Sequence, residues 1–262
     1  MSVLAIDIGN SRIGFNVFSA GQAADPAIRL HHAELEKELA PTLKALWERV
    51  NNESTDAHDD DTEIVIASVV PDLTQRLERA AAEHLAVKPR LIGRDIKVPL
   101  KTMLKDETTV GQDRLLAALA AFVNVEAACA IVHCGSALVV DCIDDEGIFR
   151  GGAIAPGLQM AAKALHEFTA QLPIPSLTPP TDEFPFGRFT QEAINLGLFV
   201  GARGTIRELL ERYATALGAW PHVVATGGDA SALLTDTDLV DSFIPDLVLQ
   251  GVALAWEKSR LE

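Results

Sequence analysis

The sequence predicts an α/β fold of two halves, each of which opens on a β-hairpin. The first hairpin lies in residues 3–18, where an apolar run ends in Asp7-Ile8-Gly9-Asn10-Ser11 and a second apolar run follows. Residues 131–149 partly repeat this arrangement, with Gly135-Ser136-Ala137 and Asp141 between apolar runs. Helical patterns follow each hairpin, as α/β architectures require. Two such hairpins suggest two halves that grip one nucleotide.

The turn of the first hairpin combines a carboxylate, a glycine and small polar side chains. Glycine lets backbone N–H groups approach a phosphate closely, and a neighbouring carboxylate can hold the Mg²⁺ that accompanies nucleotide phosphates. Asp7 is therefore the candidate metal ligand of a phosphate-binding turn. Ordinary turn chemistry also places aspartate, glycine and asparagine at strand ends, so the mid-chain repeat is what favours phosphate binding.

The spacing of apolar residues and the positions of polar segments and proline predict further elements of the first half. Residues 33–50 carry leucines at helical spacing, and residues 51–63 are acidic and polar, which predicts a solvated surface loop rather than a metal site. A buried strand over 64–70 ends at Pro71. A helix over 72–86 and a short strand over 90–92 come next.

Residues 111–114 form the best catalytic candidate. A polar connector over 98–109 leads into Gly111-Gln112-Asp113-Arg114, which opens a helix that is almost wholly apolar beyond its first turn and is therefore expected to be buried. A kinase must remove a proton from its acceptor hydroxyl, and the Asp113 carboxylate can accept it. Arg114 can bind a carboxylate or a phosphate through two parallel bonds. The alternative is a surface ion pair at a helix start.

The second half is predicted to hold three strands, a proline-rich loop and a long helix. The strands occupy 130–154, and Pro156-Gly157 leads into a helix over 158–167. Residues 172–185 contain five prolines and predict an extended loop. The helix over 191–217 contains Gly197, Gly201 and Gly204, which suit close approach of another backbone. A strand over 223–225 ends in Thr226-Gly227-Gly228, where bare backbone could pass an adenine ring or ribose, and helices over 232–234 and 249–258 follow.

Composition narrows the class of protein. The chain has 262 residues and a net charge of −15, which argues against a general nucleic-acid or anionic-membrane binder. No apolar stretch reaches the roughly 20 residues of a membrane span, and no secretion signal is visible, so we expect a cytoplasmic protein. The three cysteines, Cys129, Cys134 and Cys142, form no C-x-x-C pair and are expected to pack in the core. The histidines show no zinc-binding spacing.

Seven motifs in order resemble the type III pantothenate kinases, a family of the actin, sugar kinase and heat-shock ATPase superfamily. They stand as Asp7-Ile8-Gly9-Asn10-Ser11, Ala67-Ser68-Val69-Val70-Pro71, Gly111-Gln112-Asp113-Arg114, Gly151-Gly152-Ala153-Ile154-Ala155-Pro156-Gly157, Ala170-Gln171-Leu172-Pro173, Gly187-Arg188-Phe189-Thr190 and Thr226-Gly227-Gly228. The resemblance covers nearly the whole chain. It implies two actin-like (ribonuclease H-like) domains with a nucleotide cleft between them, expected over residues 1–115 and 116–262.

The resemblance also implies a set of site residues. ATP phosphates would be bound by Asp7, Ile8, Gly9, Asn10, Ser11, Arg12, Ile13 and Gly14, with further nucleotide contacts from Ser136, Gly227 and Gly228. Pantothenate would contact Gly111, Gln112, Asp113, Arg114 and Thr190, with Asp113 as the proton acceptor. Mg²⁺ would be held by Asp7, and K⁺ or NH₄⁺ would serve as a monovalent cation. A homodimer is implied, formed mainly by the second domains.

The chain departs from the family pattern in the second phosphate loop. The usual D-x-G-T-A-T-T reads His133-Cys134-Gly135-Ser136-Ala137-Leu138-Val139 here. His133 takes the position of the cation-binding aspartate, and Leu138 and Val139 lack the hydroxyls of threonine. Leu104 aligns with a tyrosine expected before the catalytic aspartate. Imidazole nitrogen is a poor ligand for a hard alkali cation, so little potassium dependence is expected.

The resemblance implies ATP-dependent phosphorylation of pantothenate, the first committed step toward coenzyme A. Two alternatives stay open at this point. The altered second loop suits a nucleotide-binding regulatory protein that has lost catalysis, and Leu104 suits a kinase of another small hydroxy acid. Retention of Asp7, Gly9, Asp113 and Arg114 favours catalysis.

Overall fold

The computed structural model describes residues 2–53, 62–181 and 185–261. Most of the predicted acidic loop at 51–63, and part of the proline-rich loop at 172–185, lie outside the described residues. The strands are β1 (Ser2–Ile8), β2 (Arg12–Ser19), β3 (Gln22–Ala23), β4 (Ile28–His31), β5 (Thr62–Ser68), β6 (Arg90–Leu91), β7 (Lys101–Thr102), β8 (Cys129–Cys134), β9 (Ala137–Ile143), β10 (Ile148–Pro156), β11 (His222–Thr226) and β12 (Ser242–Phe243). The helices are α1 (Leu35–Glu53), α2 (Pro71–Leu85), α3 (Gln112–Val125), α4 (Leu158–Glu167), α5 (Thr190–Leu217), α6 (Ala230–Leu234) and α7 (Leu247–Ser259).

The first of two compact units is built around a mixed sheet. It comprises residues 1–100, 105–120 and 246–262. Strands β1 and β2 form the predicted hairpin, and β3 and β4 both pair antiparallel with β2. On the other side of β1, strands β5 and β6 continue the sheet in parallel. A parallel neighbour requires a crossover connection, and the α1 segment provides it.

Alternation along β1 divides its side chains between two faces of this sheet. Leu4, Ile6 and Ile8 face one way and belong to a buried cluster with α1 and α2. Asp7 faces the opposite way because successive side chains in a strand alternate. On that second face, Leu249 of α7 lies 3.4 Å from where a Cβ on Gly14 would be. The hydrophobic pattern therefore fixes both the core and the direction of the Asp7 carboxylate.

The second unit repeats the strand order of the first. It comprises residues 101–104 and 121–245, with sheet order β12-β11-β8-β9-β10-β7. Strands β8, β9 and β10 are antiparallel, as β1, β2 and β4 are, whereas β11 and β12 run parallel to β8, as β5 and β6 do to β1. The mid-chain echo of the first hairpin is thus confirmed as a repeated supersecondary unit.

The two units differ from the predicted division between residues 115 and 116 in three places, the first of which is residues 101–104, which belong to the second unit. Helix α3 passes from one unit to the other at residues 120 and 121, and the final segment from residue 246 belongs to the first unit. The reason is packing: Gly251 in α7 lies so close to Leu116 of α3 that a Cβ there would overlap the Leu116 carbonyl oxygen. The first unit is therefore discontinuous in sequence.

Most predicted elements are present, with small differences. Helix α1 starts at Leu35, after a 3₁₀ turn over His32–Glu34, and the connector at 98–109 contains the short strand β7. Burial of the apolar helix is confirmed, since all residues from Leu115 to Ala121 are buried. Among the described helices, none combines the length and apolar character that crossing a bilayer demands.

Candidate functional site

The turn between β1 and β2 is short and is closed by a backbone hydrogen bond. Asp7 pairs with Gly14 and Ile8 with Ile13, so residues 9–12 form the turn itself. The Gly9 N–H donates to the Arg12 carbonyl at 3.1 Å and closes it. Ile8 and Ile13 are buried and anchor the turn, while Asn10 and Ser11 are exposed at its tip.

Two carboxylates and one guanidinium act on each other beside this turn. Burial and the negative charge of Asp113 raise the pKa of Asp7 to about 7, against 3.8 ordinarily, and the charge of Arg29 partly opposes the rise. Asp7 and Asp113, which are 106 residues apart in sequence, are therefore close enough in the first unit to interact electrostatically. This pair of acids is the chemical centre of the unit.

Arg29 is a charged neighbour that sequence reasoning missed. Arg29 lies in β4 and pairs with Gly14 of β2, and Gly14 pairs with Asp7 of β1, so the three residues form one row across the sheet. Gly14 has no side chain to separate its neighbours in this row. The Arg29 guanidinium also forms an ion pair with Asp246, just before α7. Nothing in the local sequence marks Arg29, because only strand register brings it to Asp7.

The segment that carries Asp113 begins α3 and folds tightly on itself. The Arg114 N–H donates to the Gly111 carbonyl at 3.1 Å. A Cβ on Gly111 would overlap the Asp113 carboxylate, so glycine is required for that carboxylate to fold back over the chain. The Gln112 side chain packs against Gly93, which has a φ of +86°. The Cδ atom of Gln112 lies 3.2 Å from where a Cβ on Gly93 would be. Residues 111–114 thus form one ordered segment in the same unit as Asp7.

Three loops of the second unit converge at the carboxyl ends of β8 and β11. The turn after β8 is closed by the Gly135 N–H donating to the Ala137 carbonyl at 3.0 Å. The Asp229 N–H donates to the Cys134 carbonyl at 3.1 Å, and the Gly157 N–H to the Ser136 carbonyl at 3.3 Å. The loop containing Ser136 therefore lies beside the loop containing Gly227 and Gly228.

Gly227 shows why this convergence needs glycine. Its φ of +97° is a conformation that side-chain-bearing residues rarely adopt, and a Cβ there would overlap the Cys134 carbonyl oxygen. His133 lies at the end of β8, with Nε2 of its ring 3.3 Å from where a Cβ on Gly135 would be. The ring therefore packs directly against the second loop.

Thr190 is the first residue of α5 and is exposed. The turn before it is held by Arg188, whose backbone N–H and guanidinium both donate to the Glu192 carboxylate. Gly187 is packed against the backbone of Ala193. This ordered turn presents Thr190 at a helix start, separately from the loops around Ser136.

The cysteines are packed in the second unit, as predicted. All three are buried and free, and burial raises the pKa of Cys129 and Cys134 to about 12 and that of Cys142 to about 11. Roughly one such thiol in a thousand or fewer is ionised at pH 8. Cys134, although next to Gly135, is therefore no nucleophile, because the thiolate is the reactive form.

Comparison with known sequences gives a consistent result. The sequence model described as type III pantothenate kinase matches residues 3–212. A type III pantothenate kinase of Dehalococcoides mccartyi strain CBDB1 is 31% identical over 260 residues, covering 99% of this chain and 97% of the relative. Another, from Geobacillus sp. strain WCH70, is 30% identical over 258 residues and covers 98% of both chains.

Solved structures share the fold. A structure described as a Baf family transcriptional activator from Campylobacter jejuni has a TM-score of 0.61 at 19% identity, covering 99% of this chain and 100% of that one. The ROK hexokinase from Thermus thermophilus has a TM-score of 0.54 at 15% identity and covers both chains completely. At these identities the likeness concerns the fold, and it confirms the predicted α/β class with two actin-like domains.

Proposed function

The chain belongs to the type III pantothenate kinase family, and from this premise we propose that it transfers the γ-phosphoryl group of ATP to the terminal hydroxyl of pantothenate. The observation that carries the proposal is the interacting pair Asp7 and Asp113, placed by a phosphate-loop hairpin and by the start of α3. The product would be 4′-phosphopantothenate, and the reaction the first step of coenzyme A synthesis.

Asp113 is proposed as the general base. Its carboxylate accepts the proton of the pantothenate hydroxyl as that oxygen bonds to the γ-phosphorus and the bond from phosphorus to the leaving oxygen of ADP breaks. The close approach of the Asp113 carboxylate to Gly111 supports this role, because it places the carboxylate against the chain at the start of α3.

A divalent cation fits the pair of carboxylates. Burial, with a further contribution from the negative charge of Asp113, raises the pKa of Asp7 to about 7 against the opposing charge of Arg29, and a bound cation would favour the ionised carboxylate. Within the described ranges no three histidine, cysteine or acidic side chains form a metal cage, and Mg²⁺ in kinases uses one or two carboxylates together with phosphate and water oxygens. Asp7 would hold it, and the bound ion would neutralise charge on the β- and γ-phosphates.

The remaining contacts are proposed from the loops of each unit described above. Backbone N–H groups of residues 8–14 would bind the ATP phosphates, with Ser136 and the Gly227-Gly228 backbone as further nucleotide contacts. Arg114 would bind the pantothenate carboxylate or a phosphate through paired bonds, beside Gly111 and Gln112 in the first unit, and Thr190 of the second unit is a further proposed pantothenate contact. The exposed turn tip at Asn10 and Ser11 supports the first of these assignments.

His133 is a poorer ligand for a monovalent cation than an aspartate at the same position would be. The imidazole offers nitrogen, and hard alkali ions prefer oxygen ligands. We therefore assign no step of the reaction to potassium or ammonium in this chain. The same altered loop, with Leu138 and Val139 in place of threonines, favours a second candidate, a nucleotide-binding regulatory protein without turnover.

We also propose a homodimer formed mainly by the second unit. Large apolar side chains are exposed along residues 154–200: Ile154, Met160, Phe168, Ile174, Phe186, Phe189 and Val200. Gly197, Gly201 and Gly204 are exposed along α5 with no atom within 4 Å of their hypothetical Cβ positions. Light scattering at micromolar concentration should report a dimer that Val200→Glu weakens and that Leu261→Glu, at another exposed apolar position, leaves intact. A stable monomer would contradict the proposal.

The kinase proposal is tested by replacing its base. Asp113→Asn keeps the shape of the side chain and should lower kcat by about 10²- to 10⁴-fold, with a much smaller change in acceptor binding. Asp72→Asn is the matched control, since Asp72 is likewise an acid in the first turn of a helix in the same unit, and it should be neutral. Nucleotide binding by the wild-type chain without any turnover would favour the regulatory candidate.

A further inference from the structure

His32 contacts the phosphate-loop turn from outside it. The residue lies in the 3₁₀ turn between β4 and α1, and its Nε2 is 3.0 Å from the Gly9 carbonyl oxygen. The side chain is half-buried, so it is not simply a solvated surface histidine. Its backbone is tied to the same turn, because the His32 N–H donates to the Ser11 carbonyl at 3.4 Å.

The direction of the side-chain hydrogen bond follows from its partner. A carbonyl oxygen can only accept, so the His32 Nε2 carries the hydrogen and donates it. The contact therefore needs a donor at the Nε2 position and does not need a base. A glutamine amide nitrogen can reach a similar position, whereas the methionine side chain has similar bulk and no donor.

This contact fixes more than one atom of the turn. The peptide unit between Gly9 and Asn10 is planar and trans, so its carbonyl and its N–H point in opposite directions. Holding the Gly9 oxygen toward His32 consequently aims the Asn10 N–H away from His32. With the Gly9 N–H already bonded to Arg12, glycine's freedom to rotate is removed on both sides of Gly9.

We propose that His32 is a positioning residue that orients the Gly9–Asn10 peptide so that its N–H binds nucleotide phosphate. The inference rests on the proposed function in one respect, namely that residues 7–14 bind phosphates. The inference adds a residue outside that segment. It expects His32 to affect binding of the phosphate groups of the nucleotide and not binding of the nucleoside.

The test compares three variants of His32 with a matched control. His32→Met and His32→Asn remove a donor that reaches Gly9, His32→Gln retains one, and His84→Met makes the same replacement at an exposed histidine of α2. Calorimetric titration measures the Kd of Mg·ATP, Mg·ADP and adenosine, steady-state assays give KM and kcat for both substrates, and thermal unfolding reports stability. Because two different replacements remove the donor, the test still stands if one of these two variants fails to fold.

Loss of one such hydrogen bond should raise the Kd of Mg·ATP and Mg·ADP by about two- to tenfold in His32→Met and His32→Asn. His32→Gln and His84→Met should stay within about twofold of the wild type. Adenosine affinity and the KM for pantothenate should be unchanged in all four. This split separates positioning from stability, since a merely structural role would weaken every ligand together.

Two results would overturn the inference. Unchanged affinity for Mg·ATP in both His32→Met and His32→Asn, in a wild-type enzyme that binds and turns over ATP, would overturn it alone. Failure of the wild-type chain to bind Mg·ATP at all would overturn both the inference and the proposed function.

Discussion

At the scale of single residues, Asp7 has an unusually high pKa for an aspartate in the first unit. Its carboxylate lies on the sheet face that packs against α7, where it interacts with the negative charge of Asp113. The positive charge of Arg29 offsets only part of the effect of burial and of Asp113 on the Asp7 pKa. Such an acid is costly to ionise until a cation arrives.

The Asp7 pKa makes stability depend on pH in a definite direction. Between pH 3.8 and about 7 the folded chain retains a proton that the unfolded chain releases, so stability falls as pH rises through this window. Asp7→Asn removes this cost. Without Mg²⁺ or nucleotide, the variant should unfold at a higher temperature than the wild type at pH 8, by about 2–4 °C per kcal/mol relieved.

Calorimetry across pH 4 to 8 measures this difference, which should close toward pH 4. Asp72→Asn is again the control and should show no such trend. Equal unfolding temperatures for Asp7→Asn and wild type at pH 8 would mean that Asp7 ionises without cost in the folded chain.

His133 gives a second prediction at this scale. Because imidazole nitrogen replaces a carboxylate at the position implied for a monovalent cation, the wild-type chain should show little dependence on potassium. His133→Asp should introduce or strengthen that dependence. Titration of KCl against sodium and choline chloride at constant ionic strength measures it, and strong potassium activation of the wild type would refute the prediction.

At the scale of elements, the close approach of α7 to α3 is the most demanding packing in the first unit. A Cβ on Gly251 would overlap the backbone of Leu116, which has no flexible atoms to move aside. Gly251→Ala should therefore destabilise the protein by about 1–3 kcal/mol through overpacking.

Chemical denaturation measures this effect. Lys258→Ala, at an exposed position of the same helix, should change stability by less than about 0.5 kcal/mol. If Gly251→Ala were as stable as wild type, the contact between α7 and α3 would be looser than the structure has it.

These elements also separate what sequence can and cannot predict. The hairpin at residues 3–18, its echo at 131–149 and the helix from 112 follow from apolar periodicity and glycine placement, which are local signals. The membership of α7 in the first unit has no local signal, because an apolar helix pattern does not say which sheet it covers. Arg29 and His32 were missed for the same reason, since β4 register and a 3₁₀ turn bring them to residues 7–14.

At the scale of the whole molecule, one strand order is used twice, and each copy opens on a turn with a predicted phosphate contact. The first copy retains the residues that the family resemblance requires, namely the turn from Asp7 and the segment from Gly111. The second copy carries the departures at His133, Leu138 and Val139. The chemistry proposed here therefore depends chiefly on the first unit.

The most direct test of the account is ADP release from ATP, coupled to a spectroscopic readout, with Mg²⁺ present and with or without pantothenate. We predict ADP release that requires pantothenate, yields a phosphorylated product in equal amount, and falls about 10²- to 10⁴-fold in Asp113→Asn but not in Asp72→Asn. Binding of Mg·ATP with no pantothenate-dependent ADP release, under any monovalent salt, would contradict the account.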